Sequence, residues 1–312
     1  MRLVLLRGSA NPRLADAVAG ALGVSLAGRE LSRFPDGEIH VEVRETVRDA
    51  DVYLIQPTVP PIEGHLLELL LLADACRRGG ATRVTALVPY FGYARQDRRA
   101  TGREAVGARV VAGMLAAIGI DRVVAVDLHS TALEGVFSTA IEHLTALPAL
   151  AGALGAPEHP AGVVVSPDAG AIKLAERWGR RLDLPIAVVH KTRLSGGTVR
   201  ARGVAGEVRG RRPLVVDDML STGGTVAGAI GAVLDAGAEP DVTVAVTHGL
   251  FVGPVVERLA PLPITRLLVT DTVGSPTPPE LPVQQVSVAP LLAEAVTRLH
   301  RGRSLSDLIL HA

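Results

Sequence analysis

The densest chemistry in the chain lies in Val215-Val-Asp-Asp-Met-Leu-Ser-Thr-Gly-Gly-Thr225. A β-branched run ends in two carboxylates, Asp217 and Asp218, and a loop of Ser221, Thr222, Gly223, Gly224 and Thr225 leads into an apolar helical stretch. Adjacent glycines let backbone N–H groups turn toward one anion, and the hydroxyls add donors. The positive end of the following helix points to the same place. The segment reads as a phosphate cradle, although it lacks the Gly-Lys-Ser/Thr of a nucleotide P-loop. Paired carboxylates beside it suit two vicinal hydroxyls of a sugar. A tight turn with an acidic cap is the plainer alternative, but it explains each half of the pattern better than the two together.

Elements that must hold such a loop recur along the chain. Three times a helix-like run closes on glycine and is followed by a Val-rich strand: Leu66–Arg78 then Val84–Val88, Val106–Ile118 then Val123–Val126, Val226–Leu234 then Val242–Val246. Glycine fits the left-handed position that ends helices, and continuous Val runs read as strands buried on both faces. Further strands are expected at 2–6, 39–43, 52–56, 162–165, 186–189, 213–216 and 265–270. This alternation predicts a parallel α/β architecture, in which ligands bind outside the carboxyl ends of the strands. Those ends carry Pro89-Tyr90, Asp127-Leu-His129, Ser166-Pro-Asp168, His190-Lys191, Asp217-Asp218 and Thr247-His248.

Length and composition agree. A chain of 312 residues, 48% hydrophobic with few aromatics, can bury two aliphatic cores. The Ala, Pro and Gly-rich stretch 145–161 predicts the junction between a first domain (1–147) and a second domain (148–286), with a helix near 289–302, within 287–312, packing back on the first. Zero formal net charge removes the electrostatic argument for nucleic-acid or anionic-membrane partners. The most apolar stretch, Leu66 to Ala75, is short and carries Glu68 and Asp74, so no membrane span is expected. The first residues lack a secretory h-region, and a cytoplasmic location is expected. The single cysteine, Cys76, lies on an apolar helix and reads as core. Only Lys173 and Lys191 are lysines among 32 basic residues, so each invites a reason. Lys191 follows a strand, whereas Lys173 reads as surface.

Phe34-Pro-Asp-Gly-Glu38 and Pro89-Tyr-Phe-Gly-Tyr-Ala-Arg-Gln-Asp-Arg-Arg99, with Asp127-Leu-His129, Ser166-Pro-Asp-Ala-Gly170 and Asp217–Thr225, resemble the motifs of ribose-phosphate diphosphokinases over nearly the whole chain. That resemblance implies two similar α/β domains, each a mostly parallel sheet flanked by helices as in type I phosphoribosyltransferases. It also implies transfer of the diphosphoryl group of Mg-ATP to ribose 5-phosphate. By the same resemblance Phe34, Asp36 and Glu38 would hold adenine, on a loop reaching a neighbouring subunit's ATP, and Arg95 and Gln96 would contact adenine and the triphosphate with Asp97 in support. His129 and Asp168 would be ligands on the Mg²⁺ side, and Asp217, Asp218 and Ser221 to Thr225 would hold ribose 5-phosphate. Lys191 and Arg193 would clamp the transferring phosphates, under a lid formed by Leu-Ser-Gly-Gly-Thr-Val after Arg193. Taken alone, Arg95–Arg99 could equally be a solvated charge run, and a lone histidine at a strand end is more often structural, although within Asp127-Leu-His129 the balance reverses.

The chain departs from the family pattern at Ser221, where many bacterial members carry Asp, and between Arg99 and Arg109, which lacks Arg-Ser-Ala-Arg-x-Pro. The second region helps build the bacterial hexamer and its regulatory site, so a homodimer or other homo-oligomer with weak regulation is expected. Three other readings stay open on sequence: a phosphoribosyltransferase, a silent regulatory paralogue of the synthase, and a diphosphokinase for another pentose phosphate. A transferase would not need Phe34–Glu38 or Arg95–Asp97, and a silent paralogue tends to lose the Lys-x-Arg or the metal ligands.

Overall fold

The computed structural model describes residues 1–155, 162–193 and 199–310, with the backbone alone at 191–193 and 199–202. Of the lid expected at 194–199, residues 194–198 lie outside the described residues. The chain divides into two compact units, Met1–Thr145 with Thr272–Gly274 and Val288–Ala312, and Ala146–Asp271 with Ser275–Ser287.

The first unit contains β1 (Arg2–Arg7), α1 (Pro12–Leu22), β2 (Arg29–Arg33), β3 (Ile39–Val43), β4 (Ala50–Ile55), α2 (Ile62–Arg78), β5 (Arg83–Leu87), α3 (Gly107–Ala117), β6 (Arg122–Val126) and β7 (Ala140–Leu144). Five strands pair in the order β1-β4-β5-β6-β7, all parallel. Every residue of β4 is buried, as a central strand covered on both faces requires. The α2 face that packs on the sheet is set by spacing: Leu66, Leu69, Leu72, Ala73 and Cys76 recur at helical intervals and are buried. Cys76 is therefore core, and burial pushes its thiol up to about 12. α1 starts where the Asn11 side chain accepts the Leu14 N–H at 3.1 Å and stops at Gly23, φ +67°. β2 and β3 form a separate antiparallel hairpin.

The second unit contains α4 (Leu147–Leu154), β8 (Gly162–Ser166), α5 (Ile172–Leu182), β9 (Ile186–Arg193), β10 (Val199–Ala205), β11 (Arg212–Leu220), α6 (Gly224–Asp235), β12 (Val242–Gly249), α7 (Val255–Leu259), β13 (Ile264–Thr270) and β14 (Val283–Val286). Seven strands pair as β10-β9-β8-β11-β12-β13-β14, parallel except for β10 against β9. From β8 the chain first runs one way, to β9 and β10, then crosses to build β11 to β14 on the other side. The order reverses between β8 and β11, the kind of switch point at which open α/β sheets leave a ligand crevice. The last helix, α8 (Ala289–His300), belongs to the first unit.

Both sheets match the expected parallel α/β class, with two corrections of detail. β2, β7, β10 and β14 were not expected; they are short or polar and sit in the hairpin or toward the sheet margins, where burial does not demand an apolar run. Lys191, Asp217-Asp218 and Thr247-His248 lie inside β9, β11 and β12 rather than past their ends. The physical reason is that β11 continues to pair with β12 through Leu220, and β9 with β10 through Arg193, after β8 has ended at Ser166. Among the described residues no helix is long and apolar enough to cross a membrane.

Candidate active site

Register brings three strand edges of the second unit together. Val165 of β8 pairs with Val215 of β11 and with Ala187 of β9. Asp168 therefore lies three residues beyond a row whose continuations carry Asp217-Asp218 on one side and Lys191 on the other. Asp168 sits in a tight turn: its Oδ1 accepts the Gly170 N–H at 3.0 Å, and Ser166 Oγ donates to its carbonyl at 2.7 Å. Asp217 Oδ1 accepts the Asp218 N–H at 2.9 Å.

The three carboxylates load this edge with negative charge. The Asp217 carboxyl is raised well above the ordinary range, first by burial, then by the charge and hydrogen bond of Asp218, then by the charge of Asp168. The side chain is partly accessible, yet its carboxyl lies against desolvating protein. Relief would come from a cation, or from hydroxyl donors replacing lost water. Among the described residues no group of three or more His, Cys, Asp or Glu is placed to hold a metal ion. An ion here would take few protein ligands and rely on substrate oxygens and water, which suits magnesium.

The cradle follows directly. Gly223 caps α6 at φ +78°, and a β-carbon there would stand 3.3 Å from Val255 Cγ2 and from Leu259 Cγ on α7. Only glycine meets both demands without strain. Gly223 is buried while Thr222 and Gly224 are exposed and Ser221 and Thr225 are partly exposed, so the hydroxyls border an open face. Lys191 and Arg193 are placed by backbone only, Lys191 opposite Ala201 and Arg193 opposite Val199 in the β9–β10 ladder.

In the first unit the candidate residues fall into three groups. Phe34, Asp36 and Glu38 share the exposed tip of the β2–β3 hairpin. There the Phe34 N–H donates to Glu38 O at 2.9 Å, the Glu38 N–H to Asp36 Oδ1 at 3.1 Å, and Gly37 turns at φ +95°. The exposed Phe34 ring meets His40 edge-on at 5.4 Å, leaving the rest of the ring accessible. Arg95, Gln96 and Asp97 follow β5 on a loop pinned by Thr58, whose hydroxyl accepts the Gly92 N–H at 2.6 Å. The loop ends with the Gln96 carbonyl receiving the Ala108 N–H at 3.2 Å at the start of α3. Arg95 and Gln96 are exposed and Asp97 is partly buried. His129 is exposed at the end of β6, after Asp127 at φ +38° and the buried Leu128.

Sequence reasoning missed the groups that support these loops. His143 of β7 is buried and its Nε2 accepts the Leu128 N–H at 2.8 Å, which places the ring proton on Nδ1, 2.8 Å from Glu134 Oε1. Arg258 of α7 donates through Nη1 to the Thr222 carbonyl at 2.9 Å. Neither residue belongs to a recognisable motif, and they lie 15 and 36 positions from the residues they hold. The only local signal was His143 within an otherwise strand-like run.

Comparison with known proteins places these features in context. Residues 3–119 match the family described as the N-terminal domain of ribose phosphate pyrophosphokinase, and residues 153–252 match the phosphoribosyl transferase domain. Proteins named ribose-phosphate pyrophosphokinase align end to end. That of Rhodopirellula baltica is 42% identical over 310 residues, covering 98% of both chains. That of Caldanaerobacter subterraneus subsp. tengcongensis is 40% identical over 310 residues, covering 98% of this chain and 97% of its own. The crystal structure of phosphoribosylpyrophosphate synthetase from Mycobacterium smegmatis superposes with a TM-score of 0.88 at 39% identity, covering 97% of this chain and all of that one.

Proposed function

The chain belongs to the ribose-phosphate pyrophosphokinase family, and we infer from this that it transfers the diphosphoryl group of ATP to the anomeric hydroxyl of ribose 5-phosphate, releasing AMP. The observation that carries the reading is the paired Asp217-Asp218 and the Ser221–Thr225 cradle at a strand-order switch, in a chain that aligns over 98% of its length with named pyrophosphokinases. The comparisons do not favour the silent paralogue or the other pentose phosphate. A free-standing phosphoribosyltransferase does not account for the match over residues 3–119.

We assign the cradle to the 5-phosphate, with Thr222 and Thr225 donating hydroxyls and Gly223 and Gly224 backbone N–H groups. Asp217 and Asp218 accept from the 2- and 3-hydroxyls, an arrangement supported by their crowding. Phe34, Asp36 and Glu38 read adenine, Arg95 and Gln96 the nucleotide and its phosphates, and Asp97 braces that loop. We propose that residues 1–147 mainly serve the nucleotide and residues 148–286 the ribose phosphate, with the C-terminal helix belonging to the first unit. Magnesium is the proposed metal, with His129 and Asp168 as protein donors. When bound, it supplies neutralisation of charge on phosphate oxygens. The sugar hydroxyl attacks the β-phosphorus in line, the bond to the α-phosphate oxygen breaks, and AMP leaves. Phosphoryl transfer of this kind depends on positioning and charge stabilisation, not on a protein nucleophile. Lys191 and Arg193 supply that charge in our reading. We also propose a cytoplasmic homo-oligomer.

Product analysis tests the reaction class directly. Purified protein given Mg-ATP and ribose 5-phosphate should release AMP one-for-one with a diphosphorylated sugar. ADP in its place would identify a simple kinase and overturn the β-phosphorus as target.

Gly223→Ala tests the cradle. A left-handed residue bearing a β-carbon costs about 1–2 kcal/mol, before any displacement of Val255 and Leu259. The KM for ribose 5-phosphate should rise at least about tenfold, with the KM for ATP nearly unchanged. Steady-state kinetics varying each substrate would show it, and an equal change in both would remove the assignment.

A further inference from the structure

From the way the segment after β12 is tied to the back of the cradle, we infer that Arg258 is a positioning residue that aims the Gly223 N–H at the sugar's phosphate. The inference rests on the assignment of Ser221–Thr225 to ribose 5-phosphate. Three consecutive carbonyls of the loop are held by residues 250–258. Leu220 O accepts from the Leu250 and Phe251 N–H groups at 2.9 and 3.3 Å, Ser221 O from the Val252 N–H at 3.1 Å, and Thr222 O from Arg258 Nη1 at 2.9 Å.

In a trans peptide the carbonyl and the following N–H point in opposite directions. Each held carbonyl therefore turns the next N–H, on Ser221, Thr222 and Gly223 in turn, away from the 250–258 segment. The back of the loop is filled, because Val255 and Leu259 stand 3.3 Å from where a Gly223 β-carbon would be. The open face remains for an anion. Donors to the first two carbonyls are backbone groups that no substitution short of proline removes. Arg258 is the side chain in the set, and it holds the peptide with most freedom to turn over, since Gly223 accepts either sign of φ. A turned peptide would aim the Thr222 carbonyl, a second negative group, at the phosphate.

The holding segment is itself set with care. Phe251 adopts φ +48°, a conformation that a bulky side chain keeps only where its surroundings impose it. Gly249 makes room for its ring, which would lie 2.7 Å from a β-carbon there. α7 is anchored by the buried Val255 and Leu259, while Arg258 is exposed. Its guanidinium is therefore spare as far as packing of α7 is concerned, and its charge adds to the attraction of the cradle for an anion.

Calorimetric titration of the intact protein with ribose 5-phosphate, together with steady-state kinetics, tests the inference. Arg258→Ala should weaken ribose 5-phosphate about tenfold in both Kd and KM. The KM for ATP should stay within about twofold and the melting temperature within a few degrees. Arg258→Lys, which keeps one charged donor, should recover part of the loss. Thr225→Val, on the cradle itself, separates the two levels of the reading. If Thr225→Val weakens ribose 5-phosphate and Arg258→Ala does not, the role of Arg258 is overturned and the cradle stands. If neither variant weakens it, the cradle assignment falls with it. Equal loss for ATP and ribose 5-phosphate, with a large drop in melting temperature, would make Arg258 a structural support only and overturn the inference.

Discussion

Lys191→Ala is expected to lower kcat by about 10²–10³-fold, the usual consequence of removing one preorganised charge from a developing phosphoryl transition state, while the KM for ATP should change little. The expectation combines three observations. β9 carries Lys191 past the end of β8, two strands from Asp217-Asp218, so its backbone lies at the edge where the sugar is proposed to bind. Only two of 32 basic residues in the chain are lysines, so a lysine at this position stands against a strong drift toward arginine. An ammonium is a compact point charge that can follow charge as it moves between oxygens, whereas a guanidinium is a rigid planar fork. Lys191→Arg should therefore restore only a minor part of the rate. Lys173, exposed on α5, supplies the control, and Lys173→Ala should leave kcat within about twofold. Single-turnover measurement of AMP formation separates the chemical step from product release. A Lys191→Ala protein that forms AMP within tenfold of the parent rate would exclude Lys191 from the chemistry and leave Arg193 as the next candidate.

Asp51→Ala should destabilise the first unit by about 3–5 kcal/mol, the cost of stripping one partner from a buried ion pair. Asp51 is fully buried in β4. Its carboxylate receives Arg83 Nε at 2.7 Å and Arg83 Nη2, Tyr53 OH at 3.0 Å, and lies 2.7 Å from His300 Nδ1 at the end of α8. Arg83 also donates to Leu299 O at 3.2 Å. One carboxylate thus ties the C-terminal helix to two strands far away in sequence, and its loss leaves a guanidinium, a phenol and an imidazole without their shared acceptor.

The pH dependence follows from the same contacts. Burial alone would raise the Asp51 carboxyl, but hydrogen bonds from Arg83 and His300, the Arg83 charge and the Tyr53 hydroxyl outweigh it and hold it below its ordinary 3.8. A depressed carboxyl contributes stability that is fully present above the unfolded value and is lost as pH falls through the folded one. The contribution should begin to fall at about pH 4 and be gone only below the folded value. Denaturant unfolding of the parent and of Asp51→Ala should then give curves that converge toward low pH. A gap that stays constant through that range would mean that the loss comes from the cavity and not from the charge.

Much of the candidate site was legible because it is local. A phosphate cradle needs consecutive residues with a particular backbone, so Ser221–Thr225 announces itself by glycines and hydroxyls in a row. The same holds for the Phe34–Glu38 turn, where Asp36 and Gly37 provide an acceptor and a positive φ within five residues. Buried central strands were legible for a related reason, since both faces of β4, β5 or β6 must be apolar. β2, with Arg29, Glu30, Ser32 and Arg33 around one leucine, carries no such mark. Nor does β14, whose Gln284 and Gln285 are exposed.

The sequence by itself determined the class of fold, the proposed anion-binding loop and the carboxylates beside it, because each depends on contacts between near neighbours in the chain. Only the tertiary structure decided that Asp168 crowds Asp217, that the strand order reverses between β8 and β11, that His143 holds Leu128 and that Arg258 holds Thr222. Those relations depend on register between strands and on a helix docking against a loop. Register is set by the packing of the whole sheet, because a slip of one residue would move every side chain to the opposite face of the sheet, and no short stretch of sequence contains that information.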